Sequence, residues 1–403
     1  MSRPRGVKLV SLVPGCGYGN AAVEYLLGLD RLGVPVTWTP ITDGRWGRAV
    51  RKAADAYLPG SYGERVERLR RRRIGYDVLL LDFPPAGWHL HWIRKERRAR
   101  PFAYATWEAD RLPPDWASVL NHCEGVFVPS RFNREVFTAS GVTVPVEVVP
   151  HVAREVEAIL EAEARDASWG QVAADDFVFY TIGTWTPRKA LEQTVRVYLE
   201  TFHAGERVAL IVKTDVVDEI AAAAMSASER RSSPTHQGTT WWALARILRD
   251  YPRPAKIHLI AGGVPARSID LLHARGDCFL LLSHAEGWGL GAFDAALFGK
   301  PSIVTGWGGP LDYLGDGYPL RVDYTLEPVS WCPRDDCFPD RSARWAYPDR
   351  RHAGELMRWV FENRRDAAEL GAELAERVSR QFAAEPICRR LAALMGFEDA
   401  GDT

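Results

Sequence analysis

Two runs of alternating short apolar and amphipathic segments, separated by one acidic stretch, constrain this chain more than any other feature. In the first run, residues 7–13, 36–41, 76–82, 102–106, 125–128 and 146–149 read as short buried strands. Helical patterns lie between most of them; over 20–32, Ala22, Leu26 and Leu29 share one face, with Glu24 and Arg31 on the other. Apolar strands alternating with helices predict a parallel, doubly wound sheet. From 150 to 176 the pattern becomes acidic and Ala-rich around Trp169-Gly170, and it then restarts. The second run has strands at 177–182, 208–213, 256–260, 278–282 and 302–305, and two helices, 351–377 and 383–395, close the chain. Residues 226–238 form a polar loop. The expected fold class is α/β, two Rossmann-like doubly wound domains facing across a cleft. Residues 1–165 make the first domain, 166–380 the second, and a terminal helix in 381–403 is expected to pack back on the first. Ligands of such sheets bind at the carboxyl ends of the strands.

Composition narrows the functional classes. The chain has 403 residues, enough for two domains, and its formal net charge of −1 argues against nucleic acid as the main partner. No apolar run approaches a membrane span, and Met1-Ser2-Arg3-Pro4-Arg5 leads towards a strand rather than reading as a signal peptide. The scattered cysteines, Cys278 in an apolar run among them, suit reduced thiols in a cytoplasm. Cys332 and Cys337 form a Cys-x4-Cys pair with no second pair to complete a zinc site, so no metal is expected. Lysine stands only at Lys8, Lys52, Lys95, Lys189, Lys213, Lys256 and Lys300, and arginine supplies the other cations. A lysine inside a motif is therefore more informative here than usual.

Chemistry concentrates in His284-Ala285-Glu286-Gly287-Trp288-Gly289-Leu290-Gly291-Ala292-Phe293-Asp294, directly after the apolar run at 278–282. A carboxylate, Glu286, enters a glycine-rich turn, and a helix opens straight after it. Gly287, Gly289 and Gly291 leave backbone N–H groups open at that helix start, where an anion binds well. Asp294 falls about a turn further on. The bland reading is an ordinary strand–turn–helix unit. Gly183-Thr184-Trp185-Thr186-Pro187-Arg188-Lys189 follows the first strand of the second domain. Two cations there are slightly unfavourable against a helix dipole, which favours an anionic ligand beside them.

In the first domain, Gly15, Gly17 and Gly19 follow the first strand with the spacing Gly-x-Gly-x-Gly, and Asn20 holds the place where a dinucleotide fingerprint wants its last glycine. Asp43 lies after the second strand but beyond its tip. Glu108, in Thr106-Trp107-Glu108-Ala109-Asp110, ends another strand, where a carboxylate can orient or deprotonate an acceptor hydroxyl. Its plainer reading, like that of Asp110, is a helix-entry acid. His89 and His91 read as surface or loop residues, and the arginine runs at 70–73 and 94–100 as solvated helix faces; a peripheral contact with a membrane-borne acceptor stays open.

These motifs, in this order, resemble the retaining glycosyltransferases of the GT-B type, family 4 in particular. The 284–301 segment is similar to that family's Glu-x7-Glu region, with Asp294 in place of the second Glu. The resemblance also covers 125–133, 148–151 and the glycine-rich turn 305–314, and it extends over most of the chain from Tyr104 onward. It implies that Glu286 holds the donor sugar's hydroxyls and Asp294 the ribose, with Gly287, Gly289 and Leu290 at the phosphates. Lys189 and Arg188 would neutralise the diphosphate, with Lys213 as a further candidate. Thr184 stands where the family commonly has Arg, and Glu108 where many members have His. The loop of Gly15, Gly17 and Gly19 would lie near donor phosphates and acceptor, and 345–349 would pack back toward the first domain. The implied partners are a nucleoside-diphosphate sugar as co-substrate and a hydroxyl-bearing acceptor, with neither cofactor nor metal. Two readings compete: an NAD-dependent oxidoreductase, and a non-catalytic nucleotide-sugar-binding protein of the same fold. A glycoside hydrolase using Glu108 and Asp110 has less support, because nothing sets two carboxylates at a defined separation across a sugar.

Overall fold

The computed structural model describes residues 4–41, 60–85, 87–156, 169–218, 239–330 and 342–397, together with 159, 163, 164 and 167. Asp43, the loop 226–238 and the pair Cys332 and Cys337 lie outside the described residues. The chain divides into two compact units, Met1–Glu155 with Arg334–Ala343 and Ser379–Thr403, and Val156–Pro333 with Arg344–Val378.

In the first unit, strands β1 (Val7–Leu12), β2 (Val36–Ile41), β3 (Val78–Asp82), β4 (Arg100–Tyr104), β5 (Gly125–Val128) and β6 (Val146–Val148) form one sheet in the order β2-β1-β3-β4-β5-β6. Every pairing in it is parallel. Parallel strands are covered on both faces, which is why β3 reads as an unbroken apolar run and is buried throughout. Its helices are α1 (Gly17–Arg31), α2 (Gly60–Arg71), α3 (Gly87–Lys95), α4 (Trp116–Leu120) and α5 (Arg131–Ala139). Helix α1 starts at Gly17, three residues before the periodicity suggests, so the glycine loop itself winds into the first turn. At α5 the Ser130 hydroxyl accepts from the Asn133 N–H at 3.2 Å, the N-cap its sequence position implies.

The second unit repeats the plan with β7 (Phe177–Ile182), β8 (Val208–Thr214), β9 (Lys256–Ala261), β10 (Cys278–Leu281), β11 (Ser302–Thr305) and β12 (Arg321–Val322). The order is β12-β11-β10-β7-β8-β9, again wholly parallel. Around it run α6 (Leu191–Thr201), α7 (Thr240–Leu248), α8 (Ala266–Arg275), α9 (Leu290–Leu297) and α10 (Leu311–Leu314). A small antiparallel pair, β13 (Tyr324–Pro328) with β14 (Arg344–Pro348), completes it. The segment 345–349, expected to pack toward the first domain, is thus mostly β14, paired inside the second unit.

The chain closes with three helices where two were expected: α11 (Arg350–Glu362), α12 (Arg364–Gln381) and α13 (Ala384–Leu394). The expected helix 351–377 breaks at Asn363, whose side chain turns back to donate to the Trp359 carbonyl at 2.8 Å. The Asn363 N–H shares that carbonyl at 2.8 Å, and the ladder ends there because the Asn363 backbone (φ −114°, ψ +51°) leaves the helical region. A Cβ on Gly371 of α12 would sit 2.2 Å from the Gly299 carbonyl oxygen, so only glycine lets this helix lie against the turn after α9. Helix α13 lies on α1, where Gly28 leaves room for the Cys388 thiol. No described helix is long and apolar enough to cross a membrane.

Candidate active site

Each sheet changes direction once: β2 and β3 flank β1, and β8 and β10 flank β7. At such a switch point the connections leaving two neighbouring strands run to opposite sides, which opens a crevice at their carboxyl ends. The residues singled out in the sequence gather at these two places.

In the second unit, β7 hands over to the loop from Gly183 to Ala190, and β10 to the loop from Leu282 to Gly289. Glu286 is buried, with its side chain 8% exposed. Its Oε1 accepts from Lys189 Nζ at 2.7 Å, and its Oε2 lies 3.5 Å from the Arg188 guanidinium. Burial pushes the Glu286 carboxyl up, but the charges of Lys189 and Arg188 outweigh it and hold the group below the usual carboxylate range. The acid expected to bind sugar hydroxyls and the cations expected to hold diphosphate therefore meet directly. Arg188 also donates to the Ala285 carbonyl at 2.8 Å. Thr184 is exposed at the start of the same loop.

Lys213 is the residue before the last of β8, beside Ile182 in register, and its own carbonyl accepts from the Gly183 N–H at 3.0 Å. Its ammonium is buried and donates to the Thr214 carbonyl at 3.3 Å, and it makes no ion pair with a carboxylate of the described residues. Burial lowers its pKa, which the charge of Asp215 only partly offsets. A buried cation of this kind gains most from an anion placed beside it.

Helix α9 opens at Gly289, which holds a left-handed backbone (φ +79°) and has no side-chain cap. The first N–H groups of α9 thus receive no side-chain acceptor from their own N-cap. A second loop, 306–309, supports this turn from behind. The Gly309 N–H donates to the Glu286 carbonyl at 2.9 Å, and a Cβ on Gly309 would stand 1.8 Å from the Gly287 carbonyl oxygen. Gly291 is needed for a different reason: a Cβ there would meet the Phe279 ring at 2.8 Å. Leu290 is the first residue of α9, and Asp294, half-buried, is the fifth. The charge of Asp294 adds to burial in raising the Tyr313 and Tyr180 hydroxyls.

In the first unit, Gly15 is left-handed (φ +108°) and its N–H donates to the Asn20 side chain at 2.9 Å. Gly15 and Gly17 are exposed, whereas Gly19 is buried and a Cβ there would lie 1.9 Å from the Val13 carbonyl oxygen. Gly19 is thus required by packing, and the open face belongs to the other two. The Tyr18 hydroxyl donates to the Thr106 carbonyl at 2.6 Å and accepts from its N–H at 2.9 Å, which ties the glycine loop to the segment carrying Glu108. Burial, with the charge of Glu108 second, pushes Tyr18 well up. Glu108 itself is half-buried.

Sequence reasoning passed over Asp82. It ends β3 at the switch point, opposite Ser11 and Tyr104, is 1% exposed, and neither carboxyl oxygen has a hydrogen-bond partner. Burial raises its pKa well above the ordinary value. The one signal was an acid closing the apolar run Val78-Leu79-Leu80-Leu81. His89 was misread as a surface residue: it is fully buried in α3, 4.2 Å from the Phe83 ring, with both ring nitrogens unpartnered. His91 is exposed. His151 is buried among Tyr25 and Tyr104, its Nδ1 at 3.2 and 3.3 Å from their hydroxyls.

No protein-family model and no curated protein matches this sequence. Solved structures match its fold. A sucrose-phosphate synthase (tll1590) from Thermosynechococcus elongatus aligns over 97% of this chain and 98% of its own, with a TM-score of 0.66 at 14% identity. Anabaena Alr3699/HepE, in a complex with UDP and glucose, aligns over 97% and 99% with a TM-score of 0.61, also at 14% identity. A glycosyltransferase from Rickettsia africae ESF-5 aligns over 97% and 98% with a TM-score of 0.58 at 12% identity. The chain has the GT-B fold, as the motifs implied.

Proposed function

We propose that this chain is a retaining glycosyltransferase of the family 4 type, moving a sugar from a nucleoside-diphosphate sugar to a hydroxyl acceptor with side-chain cations in place of a metal. The observation that carries the reading is the cation group at the switch point of the second unit. Lys189 and Arg188 converge on buried Glu286, and Lys213 brings a further buried ammonium to the neighbouring strand end. A departing nucleoside diphosphate develops negative charge, and preorganised cations lower the barrier to its departure. HepE, similar in fold, was solved with UDP and glucose, ligands of this class.

In this reading the diphosphate lies between Lys189, Arg188, Lys213 and the start of α9, Glu286 orients the sugar hydroxyls, and Asp294 contacts the ribose. Lys213 takes over the charge that Thr184 does not supply. The acceptor hydroxyl attacks the anomeric carbon from the face the phosphate leaves. The bond from that carbon to the phosphate oxygen breaks, the new glycosidic bond forms, and the hydroxyl proton passes to the departing phosphate. Glu108 recognises the acceptor.

Calorimetric titration with UDP-, GDP-, ADP- and dTDP-sugars, beside NAD and NADP, tests the reading. One nucleotide sugar is expected to bind selectively, with affinity at least tenfold weaker in Lys189→Ala and Lys213→Met, each loss being about 1.4 kcal/mol or more. Product NMR is then expected to show the donor's anomeric configuration, unchanged by EDTA. Binding of NAD alone, indifferent to both substitutions, overturns the proposal in favour of the oxidoreductase.

A further inference from the structure

His284 is absent from the proposed chemistry, yet the second unit converges on it. Its backbone N–H donates to the Arg188 carbonyl at 2.8 Å, and its carbonyl accepts from the Ala346 N–H of β14 at 2.9 Å. Its ring Nε2 lies 3.1 Å from the Gln193 side-chain oxygen on the first turn of α6, and the Tyr347 ring covers it at 4.1 Å between centroids. Arg188 and Gln193 bracket Lys189 and Ala190. Among the described residues Ala190 is the one non-glycine in the left-handed region (φ +50°, ψ +33°). A left-handed alanine persists only where its surroundings over-determine it. Here both ends of the strained turn are fastened to one residue, His284, two positions before Glu286 in the chain.

We infer that His284 is a positioning residue: by holding Arg188 through its backbone and Gln193 through its ring, it sets the Lys189 ammonium against Glu286. The Gln193 oxygen can only accept, so the imidazole carries its proton on Nε2. Its Nδ1 is buried without a partner. Burial lowers the ring's pKa to about 4, so it adds no charge that would compete with Lys189 for the carboxylate. A lysine or arginine in this place would compete. The inference deepens the proposed function and rests on it for the word donor, but the geometry it asserts is independent of any ligand.

The experiment therefore reads Lys189 first without ligand. In the full-length protein, acetylation of Lys189 by acetic anhydride is followed by mass spectrometry, with Lys256, paired to Asp176 at 2.6 Å, as internal reference. His284→Leu keeps an apolar body under Tyr347 but loses the Nε2 donor; His284→Gln restores a donor there; Gln193→Leu removes the acceptor from the other side. Expected are a threefold or greater rise in relative Lys189 reactivity in His284→Leu and Gln193→Leu, and a change under twofold in His284→Gln. Circular dichroism confirms folding, and Gln193→Leu carries the test should His284→Leu not fold. With the preferred nucleotide sugar, the leucine variants are further expected to raise donor KM at least tenfold, with a smaller fall in kcat. Unchanged Lys189 reactivity in the folded leucine variants, or a glutamine variant as reactive as leucine, overturns the inference. Absence of nucleotide-sugar binding by the wild type, with the reactivity pattern intact, instead overturns the proposed function alone.

Discussion

At the scale of single residues, packing demands glycine at several turns of the second unit. Gly309 lets its loop backbone lie closer to the Gly287 carbonyl than any side chain would allow, and its N–H fastens the carbonyl of Glu286. Gly309→Ala must push one loop away by more than an ångström. The expected cost is about 3 kcal/mol, at the upper end for overpacking, measured as a lowered denaturant midpoint. Nucleotide-sugar affinity should fall with it, because Glu286 moves with its backbone. A variant as stable as the wild type would mean the two loops can part freely. The glycines at 287, 289 and 291 were legible from the sequence as a turn opening a helix. That Gly291 is demanded by the Phe279 ring, and Gly19 by the Val13 carbonyl, was not, because both contacts join residues far apart in the chain or around a turn whose angle no local pattern sets.

At the scale of elements, α6 starts on a left-handed alanine where most helices start on a Ser, Thr, Asp or Asn in an extended conformation. Ala190→Gly relieves the left-handed cost of a Cβ, and the entropy of the extra glycine cancels only part of that gain. The net is expected to be roughly 0.5–1 kcal/mol of added stability, seen as a higher thermal midpoint. If Ala190→Gly destabilises, the turn between Arg188 and Gln193 is not strained in the way argued. Strands and helices as such were readable: apolar runs four to seven residues long are too short for buried helices and read as buried strands. Breaks were harder. Asn363 splits the closing helix where its backbone leaves the helical region (φ −114°, ψ +51°), and an asparagine in a helical pattern predicts such a break no better than a solvent-facing position.

At the scale of the whole molecule, buried titratable groups set an acid limit on stability. Burial lowers His89 and His151 to about 3 and His284 to about 4, against 6.5 for a free histidine. Between about 4.5 and 6.5 the unfolded chain binds these protons and the folded protein does not, so each contributes stability that is lost as pH falls through that window. Asp82 has the opposite sign: its raised pKa lets the folded protein keep a proton the unfolded chain has released, so its contribution declines as pH rises above 3.8. Each proton bound in one state only is worth up to about 1.36 kcal/mol per pH unit, and three histidines oppose one aspartate, so on balance stability falls as pH drops through the window. Denaturant melts from pH 4.5 to 6.5 should show stability rising with pH, and more steeply in Asp82→Asn. A flat profile would place these histidines in contact with water.

The sequence by itself determined two parallel doubly wound sheets, and it placed a carboxylate and two cations in loops that follow strands of the second. Those follow from local rules: period, apolar run length, glycine at strand-to-helix turns, and charge where a helix start should not want it. Only the tertiary structure decided that Lys189 and Arg188 close directly on Glu286, that Lys213 is buried beside them, and that Asp82 sits without a partner at the other sheet's switch point. Burial and pairing are properties of what the rest of the chain brings alongside. A residue 97 positions away can neutralise a carboxylate or leave it bare, and nothing in the residue's own neighbourhood records which.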